Sequence, residues 1–145
     1  MNPNVGNIQA LKQYGKVGAQ TGIVNASPHR LIQMLLEGAL SRIAQAKGHI
    51  ERNEIKQKGE AIGMAVSIIG GLRDSLDKSQ GDIAHNLDAL YEYMGNRLLH
   101  ANVNSDVAML EEVQDLLLEI KSAWDAIQEQ PSSVGNSQKV ANYLA

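Results

Sequence analysis

Apolar residues recur at steps of three and four through most of this chain, and strand signals are nearly absent. Ile32, Leu35, Ala39, Ile43, Ala46 and Ile50 form one helical stripe. Ser27 is placed to cap it, and Pro28 suits a first helical position, where its missing N–H leaves no bond unmade. This predicts a first helix running to about Arg52, with Asn53 breaking it or capping the next. A second stripe joins Ile55, Ile62, Ala65, Val66, Ile69, Leu72 and Leu76. Ser79–Asp82 reads as a turn, followed by a third stripe of Ile83, Leu87, Leu90, Met94, Leu98 and Ala101. Asn102–Ser105 is the next expected connection, with Asn104 or Ser105 as cap. Leu110, Val113, Leu117, Ile120, Trp124 and Ile127 then alternate three and four, the spacing of a bundle seam.

Prolines stand only at 3, 28 and 131, so nothing breaks a helix between 29 and 130. Four amphipathic helices on short loops place neighbours antiparallel. The expected fold is therefore all-α, an antiparallel up-down-up-down four-helix bundle over 27–130. Residues 1–26 read as an N-terminal arm with a short helix near 9–16, and 131–145 as a flexible tail. The second helix carries Gly59, Gly63, Gly70 and Gly71 in its interior, where each glycine costs roughly 0.5–1 kcal/mol against alanine. Close approach of a neighbouring helix is the first explanation to expect, with a bend or local looseness as the other.

Composition narrows the function. With 145 residues and 43% hydrophobic content the chain can bury one core. It has no cysteine, which removes disulfides, cysteine-bound zinc and thiol nucleophiles. No apolar run approaches the ~18–20 residues that span a bilayer, and no signal peptide opens the chain, so the expected site is the cytoplasm, with no membrane insertion. A net charge of −3 and few aromatics argue against nucleic acid. The charge is segregated: residues 1–58 hold 8 basic and 3 acidic side chains, and 105–145 hold 2 and 7. Pairing between a basic first helix and an acidic fourth is expected. The sharper alternative is an acidic docking face.

Candidate chemistry is thin. A di-iron bundle needs Glu-x-x-His on two helices, and only Asp82-x-x-His85 comes near. His49 beside Arg52 is the nearest approach to a phosphotransfer histidine, at a helix end. His29, His85 and His100 also fall near helix ends, where surface or capping roles are expected. No nucleophile elbow and no phosphate-cradling loop occur. Neither catalytic residues, metal nor cofactor are expected, and the chain reads as a binding protein and not an enzyme.

The surplus apolar residues are more informative. At about 100° per residue, Leu36 falls at the edge of the first stripe, Leu40 farther out, and Met34 nearly opposite. Met64 and Ile68 flank the second stripe, Leu99 the third, and Leu118 lies off the fourth. Tyr91 lies on the buried flank of the third helix. Together these could make a groove for an amphipathic partner helix, to which flexible methionines are suited. In the arm, Ile8, Leu11 and Tyr14 form one apolar edge of a helix too short to stand alone in water. The arm is expected to cover the groove until a partner displaces it.

Several segments match a known pattern in order. The run Asn25-Ala26-Ser27-Pro28-His29-Arg30-Leu31-Ile32-Gln33-Met34-Leu35-Leu36-Glu37-Gly38-Ala39 resembles the signature of the flagellar export chaperone FliS family. So do Tyr14 with Val17, Gly81-Asp82-Ile83-Ala84-His85-Asn86-Leu87, Leu90-Tyr91-Glu92-Tyr93-Met94, Leu98-Leu99-His100-Ala101-Asn102 and Ala123-Trp124. The resemblance spans about residues 8–128. Members often carry Tyr or Phe where Leu36 stands and Asp where Glu37 stands. It implies a cytoplasmic chaperone that holds the disordered C-terminal segment of flagellin, blocks premature polymerisation and assists delivery to the flagellar type III export apparatus. The partner-binding residues expected here are Leu11, Tyr14, Met34, Leu36, Leu40, Met64, Ile68, Tyr91 and Leu99. The export gate and an anti-sigma regulator are further partners by family analogy. A bundle self-associating through the same residues, as a homodimer with swapped arms, is the structural alternative, and a His phosphotransfer domain the enzymatic one.

Overall fold

A computed structural model describes residues 26–127. The expected arm, its helix near 9–16 and the tail from 131 lie outside the described residues. Four helices make up the described chain: α1 (Pro28–Glu51), α2 (Ile55–Asp74), α3 (Asp82–Asn104) and α4 (Val107–Ala126). One 3₁₀ turn, Lys78–Gln80, precedes α3, and no strand occurs among the described residues. No described helix is long and apolar enough to cross a membrane.

Local chemistry sets the helix ends. Ser27 Oγ accepts from the Arg30 N–H at 3.1 Å, and Pro28 opens α1 as expected. Asn53 adopts the left-handed conformation (φ 57°) that turns the chain into α2. Before α3, Asp77 accepts from the Ser79 N–H and hydroxyl. Gly81 follows at φ 98°, a conformation that a side chain resists.

The connection expected at Asn102–Ser105 is shorter. α3 continues to Asn104, and Ser105 ends it in the left-handed region (φ 49°). The cap of α4 is Asp106, which accepts from the Met109 N–H, and neither Asn104 nor Ser105. The reason for the longer helix is Lys58, only 5% exposed at the start of α2. Its ammonium donates to Asn102 O at 2.7 Å and to Ser105 Oγ at 2.8 Å. A helix C-terminus leaves carbonyls without intrahelical donors and favours a cation. Lys58 supplies both needs from a neighbouring helix. Lys58→Met therefore should destabilise the fold by about 1.5–3 kcal/mol, the range for hydrogen bonds to a charged group. Urea denaturation would check this; an unchanged midpoint would show that the turn holds itself.

The helix pairs run antiparallel. Arg73 late in α2 reaches Asp88 and Glu92 early in α3, while Lys58 meets the end of α3. Tyr93 and Arg97 bond Glu112 near the start of α4. Lys47 late in α1 meets Glu111, and Gln33 early in α1 donates to Asp125 late in α4. Each helix packs on its sequence neighbours, and α1 packs on α4 to close the ring. One core fills the middle, with Leu35, Leu36, Ala39 and Ile43 from α1, Ile62, Ile69 and Leu72 from α2, Met94 and Leu98 from α3, and Leu110, Leu117 and Trp124 from α4.

The ring is fastened where α1 begins and α4 ends. Trp124 Nε1 donates to His29 O at 2.9 Å, and His29 Nε2 donates to Trp124 O at 3.0 Å. The two rings stack 4.8 Å apart at 17°. His29 is thus a buried clamp rather than the surface or capping residue expected from its place in sequence. His85 and His100 are exposed, as expected.

The basic–acidic pairing of α1 with α4 is partial. Lys47–Glu111 and Gln33–Asp125 bridge the helices, but Glu112 turns to α3 and Asp106 serves as a cap. Lys121 of α4 lies 3.9 Å from Glu37 of α1, with the charges reversed.

Candidate interaction grooves

The expected partner-binding residues do not gather on one surface. Leu11 and Tyr14 lie outside the described residues. Leu36 is fully buried and belongs to the core. The stripe of α1 is wider than its spacing suggested, because both α2 and α4 pack against it, and Leu36 lies inside that arc. Ile68 and Tyr91 are also buried. Leu40 and Met64 are half-buried, and only Leu99 is well exposed, at 52%.

Met34 is a separate case. It lies about 160° around α1 from the centre of the core arc at about 100° per residue, and it is absent from the core cluster. Yet it is only 8% exposed, so the expectation of an exposed Met34 is corrected. On α2, Met64 lies about 160° from Val66, by the same helical geometry. Val66 borders α3, so Met64 is on the far flank. The expected single groove therefore divides, with Met64 on one flank of α2 and Tyr91 and Leu99 on the other. Leu40 belongs to neither, since it follows the α1 face whose Gln33 and Lys47 meet α4.

Between α2 and α3 runs an apolar groove of about 180 Å³. Val66, Ile69 and Gly70 form one wall, and Tyr91, Gly95 and Leu99 the other, with Arg73, Glu92 and Asn96 at the rim. Burial in its wall pushes the Tyr91 phenol upward. At the rim, Arg73 is bonded to Asp88 and holds that carboxyl below the usual carboxylate range.

Gly59 and Gly63 do not serve the purpose expected of them. A Cβ on Gly63 would meet nothing within 4 Å, and one on Gly59 only Asn102 Oδ1 at 3.9 Å. Neither glycine admits a tightly packed neighbouring helix. Gly59, Gly63 and Gly70 instead share the α2 face that borders α3, and Gly95 across the groove is likewise free of close neighbours. The fold itself requires none of this space at Gly63 or Gly95. Gly70 and Gly95 face each other across the shallow groove beside exposed Leu99.

A second, more open groove of about 340 Å³ lies between α3 and α4 at the clamped end. Ile83 and Leu87 face Ile120, Ala123, Trp124 and Ile127 across it, with Glu119 at its rim. Ile83 and Ile127 are 56% and 40% exposed. Sequence reasoning assigned both to core stripes. The missed signal was their position in the outermost turns of their stripes, where the opposing helices run out.

His49, the phosphotransfer candidate, is bonded through Nδ1 to Glu54 Oε1 at 2.8 Å. That bond, followed by one from Arg52, holds the Glu54 carboxyl below its ordinary range. No group of three or more His, Asp or Glu side chains suited to a metal occurs among the described residues.

With this geometry in place, comparison with known proteins is specific. Residues 10–131 match the family described as Flagellar protein FliS. The chain is 52% identical over 121 residues to the flagellar secretion chaperone FliSB of Pseudomonas aeruginosa, covering 83% of this chain and 96% of that protein. It is 43% identical over 119 residues to the flagellar secretion chaperone FliS of Salmonella typhimurium (81% and 88%), and 33% identical over 105 residues to that of Bacillus subtilis (72% and 78%).

Proposed function

This chain belongs to the FliS family of flagellar proteins, and from that premise we propose that it is a cytoplasmic export chaperone for flagellin. It holds the disordered C-terminal segment of flagellin as one or more amphipathic helices, blocks premature polymerisation and assists delivery to the flagellar type III export apparatus. The observation that carries this reading is the α2–α3 groove, where Gly95 of α3 leaves space that the bundle does not use. A client helix laid there meets Leu99, Val66 and the wall of Tyr91. The mechanism is non-covalent: apolar area is buried, the client gains helix, and release returns both partners unchanged. Half-buried Met64 extends the contact along the other flank of α2, and Leu11 and Tyr14 of the arm compete for the client surface. The export gate and an anti-sigma regulator are the further partners that family membership suggests.

The test is calorimetric titration with the C-terminal segment of flagellin, following helicity by circular dichroism. Saturable 1:1 binding with helix gain and a negative heat-capacity change is the expected result. Absence of binding, both by the full chain and by one lacking residues 1–18, would remove flagellin as the client. Light scattering across dilution tests self-association, since a homodimer using this surface would dissociate when the client binds.

Gly95→Ala separates a client groove from a merely tolerated glycine. The added methyl meets nothing in the free protein, so stability should rise by about 0.5–1 kcal/mol. Client affinity should fall in the same variant. A variant more stable with unchanged affinity would place the client elsewhere.

A further inference from the structure

The α3–α4 groove at the clamped end is distinct from the α2–α3 channel and plays no part in the reading above. Its walls are apolar, with Ile83 and Leu87 on one side and Ile120, Trp124 and Ile127 on the other. Burying partly exposed isoleucines is favourable at roughly 25 cal/mol per Å², so an occupant with matching apolar residues would be held.

The chain supplies one. Ile127 is both a wall of the groove and the last described residue, so residues 128–145 continue directly from the groove itself. Within that segment Val140, Tyr143 and Leu144 stand at i, i+3 and i+4, one face of a helical turn. Between them and Ile127 lies Pro131-Ser132-Ser133-Val134-Gly135-Asn136, a composition suited to reversing the chain. The distance presents no obstacle, because twelve residues, 128–139, intervene between Ile127 and Val140, and at about 3.3 Å each an extended chain of that length spans roughly 40 Å. Charge agrees as well. Glu119 at the rim pairs with no residue of the described chain, and Lys139 adjoins Val140.

We propose that residues 139–144 fold back as a helical turn into the α3–α4 groove, seating Val140, Tyr143 and Leu144 against Ile83, Leu87 and Ile127, with Lys139 facing Glu119. The groove is then a built-in docking site for the chain's own C-terminal segment. It covers the His29–Trp124 clamp from the outside and leaves the α2–α3 channel free for a client.

The absence of cysteine makes a clean test. Asn142→Cys carrying a nitroxide should remove most of the peak intensity from the methyl signals of Ile83 and Leu87 in the full chain, measured against the reduced label. Signals at the opposite end, around Asn53 and Ser105, should be unaffected. Adding Tyr143→Ser and Leu144→Ser should restore Ile83 and Leu87. Broadening that survives those two substitutions would mean that tethering alone keeps the label near, and overturns docking. Absent or uniform broadening overturns it as well. Mixing spin-labelled chains with isotope-labelled, spin-free chains supplies the last arm: broadening there would assign the groove to the tail of a second copy. Because neither the client nor the α2–α3 channel enters this experiment, its failure leaves the chaperone reading intact.

Discussion

Replacing Trp124 with alanine lowers the unfolding free energy by roughly 3–5 kcal/mol, the range for truncating a buried aromatic. Trp124 is 1% exposed and is the single tryptophan of the chain. Two losses combine. The first is the apolar volume of the indole at the α1–α4 seam. The second is the reciprocal fastening, since His29 O loses its indole donor and the imidazole loses its stacking partner. Against a typical domain stability of about 5–15 kcal/mol this is a large fraction. Urea unfolding should be followed by far-ultraviolet circular dichroism, because the variant has no tryptophan to report. A double-mutant cycle with His29→Ala should show non-additivity, as expected for residues in direct contact. A near-native midpoint for Trp124→Ala would mean that the ring closes through other contacts.

The second large effect is on binding. Leu99→Asp should weaken flagellin-segment affinity tenfold or more, about 1.4 kcal/mol or above, with little change in melting temperature. The two halves of this expectation have separate causes. Leu99 is 52% exposed in the free protein, so the fold barely uses it, and substitutions at such positions usually fall within about ±0.5 kcal/mol. Under a client helix the same position is covered, and a carboxylate there must be desolvated without a partner. Calorimetry of the variant beside the native chain, with melting curves for both, measures the two effects. Unchanged affinity would take Leu99 out of the client surface; a collapsed melting curve would make it a structural residue.

Much of the fold was legible in the sequence because helical stripes record burial directly. Leu110, Val113, Leu117 and Trp124 are all buried, as their spacing requires, and Ser27-Pro28 opens α1. Errors arose where a residue's fate depends on a partner distant in the chain. Lys58 extends α3 from another helix, a bond with no local signature. His29 stands 95 residues from the tryptophan that it clamps, so its sequence neighbourhood suggested only a helix end. Glycines in a helix signal missing side chains but not whether a neighbour fills the space, and at Gly63 none does. Angular position separated Leu99 from the core but overstated the exposure of Leu36, because the width of a buried arc depends on how many helices pack against it. Met34 shows the converse, a residue opposite the core arc that is buried nonetheless.

The stacked rings of His29 and Trp124 also bring the two ends of the described chain together. Circular permutation exploits that arrangement. A linker of a few residues should join residue 26 to residue 127 across the clamp without crossing either helix. New termini could then open in the Asp77–Gly81 connection, where the 3₁₀ turn separates α2 from α3 and no long helix is cut. The bundle is thus a ring of helices whose natural opening is only one of the places where it could begin.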